Sequence, residues 1–151
     1  MDGRGAPRGY FPGGLSWKQG GGARVVRIII AGTRSFNDYA LLRKTMCSLF
    51  GKVPPSRIEI ISGHCPTGAD RLGELFARRN GIRLALFPAD WEKHGKAAGP
   101  VRNRQMAEYA APDGYCVIFW DGKSRGSRNM AAEAKKAGLK TEIVLYEEDN
   151  L

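Results

Sequence analysis

The residues best suited to chemistry in this chain are hydroxyls, guanidiniums, carboxylates and bare backbone N–H groups gathered in three glycine-rich turns. Ala31-Gly32-Thr33-Arg34-Ser35-Phe36 follows the apolar run Val25–Ile30. Ser62-Gly63-His64-Cys65-Pro66-Thr67-Gly68-Ala69-Asp70 follows Ile58–Ile61. Trp120-Asp121-Gly122-Lys123-Ser124-Arg125-Gly126-Ser127 follows Cys116–Phe119. Glycine lets a backbone approach an anion closely, and unpaired N–H groups at a helix start favour negative charge. Three such turns, each just past a strand-like run, predict a site for a phosphorylated ligand.

Within these turns the expected phosphate and ribose contacts are Gly32, Thr33, Arg34, Ser62, Gly63, Thr67, Gly68, Gly122, Ser124, Gly126 and Ser127. Asp70 falls in the first turn of a helix, where a carboxylate complements the dipole or serves as a ribose acceptor or acid/base group. Arg102 and Asn103 open another helix behind Gly99-Pro100, and an arginine there can clamp phosphate bidentately. Arg104 points away from Arg102 and reads as surface. Trp120 either stacks on a base or caps the core, and Asp121 either accepts from ribose or orients Arg102.

Several chemistries find no support. The Ser62–Asp70 turn lacks the Gly-Lys-Ser/Thr of a Walker loop, and no G-x-G-x-x-G fingerprint occurs. His64 and His94 have no partner at metal-ligand spacing, so no metal or cofactor is expected. Cys65 is a loop thiol without an evident base, and no Ser/His/Asp set can be assembled. If the protein is an enzyme, Asp70, Asp121 and Arg102 are the candidate catalytic residues.

The elements that position these turns alternate along the chain. Apolar-rich stretches at Val25–Ile30, Ile58–Ile61, Arg83–Phe87, Cys116–Trp120 and Glu142–Tyr146 read as strands, Val25–Ile30 as one buried on both faces. Helices are expected from Asn37 or Asp38 to Phe50, with Leu42, Met46 and Leu49 inward, and from Gly68 to Asn80, with Leu72, Leu75 and Phe76 inward. Two more span Pro100–Ala111 and Ser127–Ala137, and Pro88–Gly99 reads as a loop. This order predicts an α/β, Rossmann-like three-layer sandwich with a mostly parallel five-stranded sheet. Right-handed crossovers then bring all three turns to one edge.

The 151 residues suit one domain, with no internal repeat, and 42% are hydrophobic. Residues 1–24 hold eight of the 20 glycines and no apolar periodicity. Arg4, Arg8, Lys18 and Arg24 against Asp2 give them a net +3 of the chain's +9. They read as a disordered Gly/Arg-rich tail preceding a domain at 25–151. Cys47, Cys65 and Cys116 are widely spaced and read as reduced thiols, with Cys47 and Cys116 in packing roles. With no apolar run long enough to cross a bilayer and no signal peptide at the N-terminus, a cytoplasmic protein without membrane contact is expected.

These stretches resemble the YspA/YpsA-related branch of the SLOG superfamily, which also holds the LOG-type phosphoribohydrolases and the Rossmann domain of DprA. The resemblance is carried by Gly32–Phe36, Ser62-Gly63 with Thr67–Asp70, Phe87–Trp91, Gly95–Asn103 with Met106, and Phe119–Ser127. It extends over about residues 25–146. It implies a nucleotide or nucleotide-derived ligand, a bacterial cell or phage-infected host as setting, and leaves a homodimer open. The Arg-Lys-x-x-Met helix of the LOG enzymes is similar to Arg102–Met106, but their catalytic Glu falls on Met130, and Glu133 is nearly a turn further on. A side chain like Met130 cannot move a proton. The first expectation is therefore a sensor or sequestering module for an ADP-ribose-like or signalling nucleotide. A LOG-like hydrolase cleaving an N-glycosidic or phosphate bond is the alternative, and a DprA-like DNA-binding protein, suggested by the charge, the third.

Overall fold

Ile28, Ile29 and Ile30 are consecutive and wholly inaccessible to solvent, so the strand that contains them is covered on both faces. The structure, a computed structural model, describes residues 24–148. Its strands are β1 (Val26–Gly32), β2 (Ile58–Ser62), β3 (Arg83–Leu86), β4 (Tyr115–Trp120) and β5 (Lys140–Leu145). Its helices are α1 (Tyr39–Phe50), α2 (Gly68–Arg79), α3 (Trp91–His94), α4 (Ala98–Ala110) and α5 (Arg125–Lys136).

The five strands form one sheet in the order β3-β2-β1-β4-β5, and every pairing is parallel. The side-chain period of two then splits the core. Ile28, Ile30, Ile60, Val117 and Phe119 meet Leu42, Met46, Leu72 and Phe76 of α1 and α2. Ile29, Ile61, Cys116 and Ile118 meet Met106, Ala107, Met130 and Ala134 of α4 and α5 on the other face. The α/β three-layer sandwich expected from the alternation is therefore present, with a sheet that is parallel throughout.

Three details differ from expectation. Pro88–Gly99 is not a plain loop: Asp90 accepts from Lys93 N at 3.0 Å and caps α3, a 3-10 turn follows at Gly95–Ala97, and α4 begins at Ala98. Pro100 thus sits inside the first turn of α4, where its missing N–H has no intrahelical acceptor to lose. Cys47 is exposed on α1 and does not pack in the core, and Phe50 is buried on the inner face while Leu49 is only partly covered. The tail expected at 1–24 lies outside the described residues apart from Arg24, which pairs with Asp113 at 2.9 Å. Among the described residues, no helix is long and apolar enough to cross a membrane.

Candidate functional site

The strand order reverses direction at β1, with β2 on one side and β4 on the other. In parallel sheets the loops diverge at such a point and leave a crevice outside the carboxyl ends of the strands. A cleft of about 540 Å3 opens there, bounded by Gly32–Ser35 after β1, Ser124–Ser127 at the start of α5, and the first two turns of α4.

Backbone contacts fix the first wall. Thr33 donates its N–H to Phe119 O at 2.9 Å, and its carbonyl accepts from Phe36 N at 3.1 Å and Ala69 N at 3.3 Å. Its hydroxyl accepts from Asp121 N at 3.1 Å. One residue therefore ties the ends of β1 and β4 to the start of α2. Phe36 locks the same turn from below, stacking on Phe119 with ring centroids 4.9 Å apart. Arg34 and Ser35 are left facing the cleft.

Arg102 is held from several sides. Its Nη1 donates to Gly63 O at 2.7 Å and Phe87 O at 3.4 Å, and its Nε donates to Asn103 Oδ1 at 2.9 Å. Nη2 makes no hydrogen bond among the described residues, and the side chain lines the cleft. Buried Asn103 in turn donates Nδ2 to Asn129 Oδ1 at 2.8 Å and to Gly126 O at 3.4 Å, locking α4 to α5. Asn103→Ala leaves Asn129 and Arg102 short of partners and is expected to cost about 2 kcal/mol, read by urea unfolding. Loss of less than about 0.5 kcal/mol would show that these bonds are replaceable.

Gly63 is where Arg102 and Asp70 converge: an added Cβ would lie 2.5 Å from Arg102 Nη1 and 2.9 Å from Asp70 Oδ2. Asp70 accepts from Cys65 N at 3.1 Å. Burial pushes its carboxyl up from 3.8 to about 6, against the opposing pull of the Cys65 N–H, Arg102 and Arg34. A carboxyl in this cleft that exchanges a proton near neutrality is suited either to accepting a ribose hydroxyl or to proton transfer.

The helix start of α5 completes the opposite wall. Ser124 Oγ caps it by accepting from Ser127 N at 3.3 Å. Nothing lies within 4 Å of the place where a Cβ on Gly126 would be, so the backbone there is open to a ligand. Ser127 is 3% exposed, lines the cleft, and its hydroxyl has no hydrogen-bond partner among the described residues.

Of the residues singled out in the sequence, Gly32, Thr33, Arg34, Asp70, Arg102 and Asn103 line this cleft. So do Ser124, Gly126 and Ser127. Gly63 and Thr67 line a second hollow of about 400 Å3, joined to the first through Arg34, Cys65, Trp91 and Arg102. Gly68 packs beneath Thr33 and Arg34. Ser62 is buried against Glu74, its hydroxyl 2.7 Å from Oε2. Asp121 does not orient Arg102 and lines neither hollow. Its Oδ1 accepts from Lys123 N at 2.8 Å and Ser124 N at 2.9 Å, which folds the turn around Gly122 and holds its carboxyl below the usual range. Trp120 supports the turn from behind, donating Nε1 to Ser124 O at 3.0 Å while its ring packs on the α4–α5 core. Arg104 reaches Glu133 at 3.8 Å with its side chain largely in solvent, and Met130 lines the cleft.

Two features of the site were not singled out in the sequence. Trp91, 54% exposed, borders both hollows. Glu74, 5% exposed, collects Ser62, His64 and Arg78. The available signal was spacing: Asp70, Glu74 and Arg78 fall four apart and share one face of α2. No group of three or more metal-ligating side chains occurs among the described residues.

A parallel sheet in the order 3-2-1-4-5, with guanidiniums and open helix starts at its switch point, defines a Rossmann-like protein with an anion-ready cleft. The chain belongs to the YspA, cpYpsA-related SLOG family, whose sequence profile matches residues 26–94. It is 32% identical over 118 residues to the Gene 61 protein of Mycobacterium phage D29, an alignment covering 75% of this chain and 91% of that one. No solved structure matches.

Proposed function

We propose that this protein binds a nucleotide or nucleotide-derived ligand, of the ADP-ribose-like or signalling kind, as a sensor or sequestering module. The observation that carries this reading is the buried Ser127 hydroxyl, which lines the cleft at the first turn of α5 without a partner. A buried hydroxyl left unmatched costs free energy, and a phosphate oxygen at that turn is the acceptor that helix N–H groups and the dipole also favour. Arg34 and Arg102 supply charge on the facing walls, and Trp91 offers a stacking surface for a base.

The test is thermal denaturation against a nucleotide panel, with mass spectrometry of each mixture. A bound nucleotide raises the melting temperature through RT ln(1 + [L]/Kd). Ser127→Ala is expected to weaken the ligand about tenfold, while the melting temperature without ligand stays level or rises. Affinity unchanged in Ser127→Ala removes the phosphate from α5, and no thermal shift with any nucleotide overturns the binding reading itself.

A further inference from the structure

His64 anchors a second cluster that ligand binding at the cleft does not use. Its backbone is left-handed, with φ at 61°, a conformation that costs a non-glycine residue free energy. Its N–H donates to Ser62 Oγ at 2.9 Å, so the Ser62 hydroxyl proton is free to donate to Glu74 Oε2 at 2.7 Å. Arg78 donates to Glu74 Oε1 at 3.4 Å. Both carboxylate oxygens thus serve as acceptors, and the contact of His64 Nδ1 with Oε2 at 2.9 Å places the imidazole proton on Nδ1. In the neutral ring Nε2 then carries the lone pair, and Glu74 fixes the tautomer.

That lone pair belongs to a side chain lining the second hollow. Arg34 and Arg102 stand at the seam between this hollow and the cleft, where a phosphoryl group bound at α5 would extend. Beside a phosphoryl group such a lone pair can accept a proton from the O–H of water. No carboxylic acid lines the second hollow, and Asp70 lines the adjoining cleft and accepts from Cys65 N, so a leaving group that departs as an anion suits this hollow.

We propose that the protein hydrolyses the phosphoanhydride of a nucleotide lying across the two hollows, with His64 as general base and Glu74 as its positioning residue. The proposal rests on the binding reading above. Water attacks the phosphorus at the Arg34–Arg102 seam and passes one proton to His64 Nε2, which returns it to solvent. The new P–O bond forms as the bond to the bridging oxygen breaks. The electron pair leaves with that oxygen on the phosphate held at α5, which departs as an anion and needs no acid. Water is the only co-reactant, and two phosphate products result.

The test incubates the full chain with ADP, ADP-ribose and a pyrophosphate-linked dinucleotide in magnesium-containing buffer prepared in 18O-water. Expected are cleavage at the anhydride and one 18O in a single phosphate product. His64→Gly suits the left-handed backbone. It should keep the ligand-induced thermal shift, lose at least about 100-fold in turnover, and regain turnover with added imidazole. A thermal shift with the nucleotide recovered intact overturns the hydrolysis and leaves binding standing. Turnover unchanged in His64→Gly, or lost without imidazole rescue, overturns the role of His64. No shift and no cleavage with any compound brings down both readings.

Discussion

Gly32→Ala is expected to lower stability by about 3 kcal/mol or more, the sum of backbone strain and forced overpacking. The φ at Gly32 is 155°, and a Cβ there would lie 2.2 Å from the carbonyl oxygen of Phe119 and 2.9 Å from Ala69 Cβ. Neither neighbour can yield cheaply, because the first is backbone of the central β4 and the second opens α2. Gly68→Ala meets the same fate, with φ at 77° and its Cβ 2.5 Å from Thr33 O and 2.6 Å from Arg34 Cα. In a domain of this size the melting temperature should fall by about 6–12 °C. Gly126→Ala is the matched control. It lies in α5 with nothing within 4 Å of the new Cβ, so the protein without ligand should gain a few tenths of a kcal/mol, roughly, from reduced unfolded-state freedom. Equal losses at all three positions in thermal unfolding would show that the turns depend on glycine flexibility alone and not on these close approaches.

The same contrast marks what the sequence made legible. Unbroken β-branched runs such as Ile28–Ile30 announce central strands, because only a strand buried on both faces tolerates them, and the crossover rule then assigns all the turns to one edge. What a glycine does within its turn is set by packing across the chain. Gly32 and Gly68 make room for backbone, Gly63 makes room for Arg102 and Asp70, and Gly126 stays open. Asp121 shows the opposite case. A carboxylate followed by Gly122-Lys123-Ser124 folds its own turn through two short-range N–H bonds, a local solution that competes with any ligand. The orientation of Arg102 falls instead to the carbonyls of Gly63 and Phe87, 39 and 15 residues away. Such main-chain partners leave no trace in residue type. The network of Glu74 with Ser62 and His64 was hidden for a related reason, since it joins a strand end and a left-handed loop residue to the second turn of α2.

Asp70→Asn is expected to stabilise the protein by about 3 kcal/mol at pH 8 and hardly at all at pH 4. Burial raises the Asp70 carboxyl from 3.8 to about 6, so the folded state holds this proton more tightly than the unfolded chain does. Below about pH 4 the carboxyl is neutral in both states and no penalty arises. As pH rises towards 6 the unfolded chain releases the proton first, stability falls, and above about 6 the full cost of a buried charge is present. Asparagine keeps an oxygen to accept from Cys65 N and has no proton to lose. The stability difference between variant and parent should therefore grow across pH 4–6 and then level off, read by urea unfolding at each pH. A difference that does not change with pH would mean that Asp70 is solvated or compensated in the fold. The cost has a functional counterpart in the same cleft. An anion bound beside Arg34 and Arg102 would push the carboxyl higher still, so binding near pH 7 should take up a proton and weaken as pH rises. Calorimetry in two buffers of different ionisation enthalpy measures that uptake directly. Asp70→Asn should abolish the uptake while tightening the anion, an outcome that would tie the buried carboxyl of the cleft to the proposed ligand.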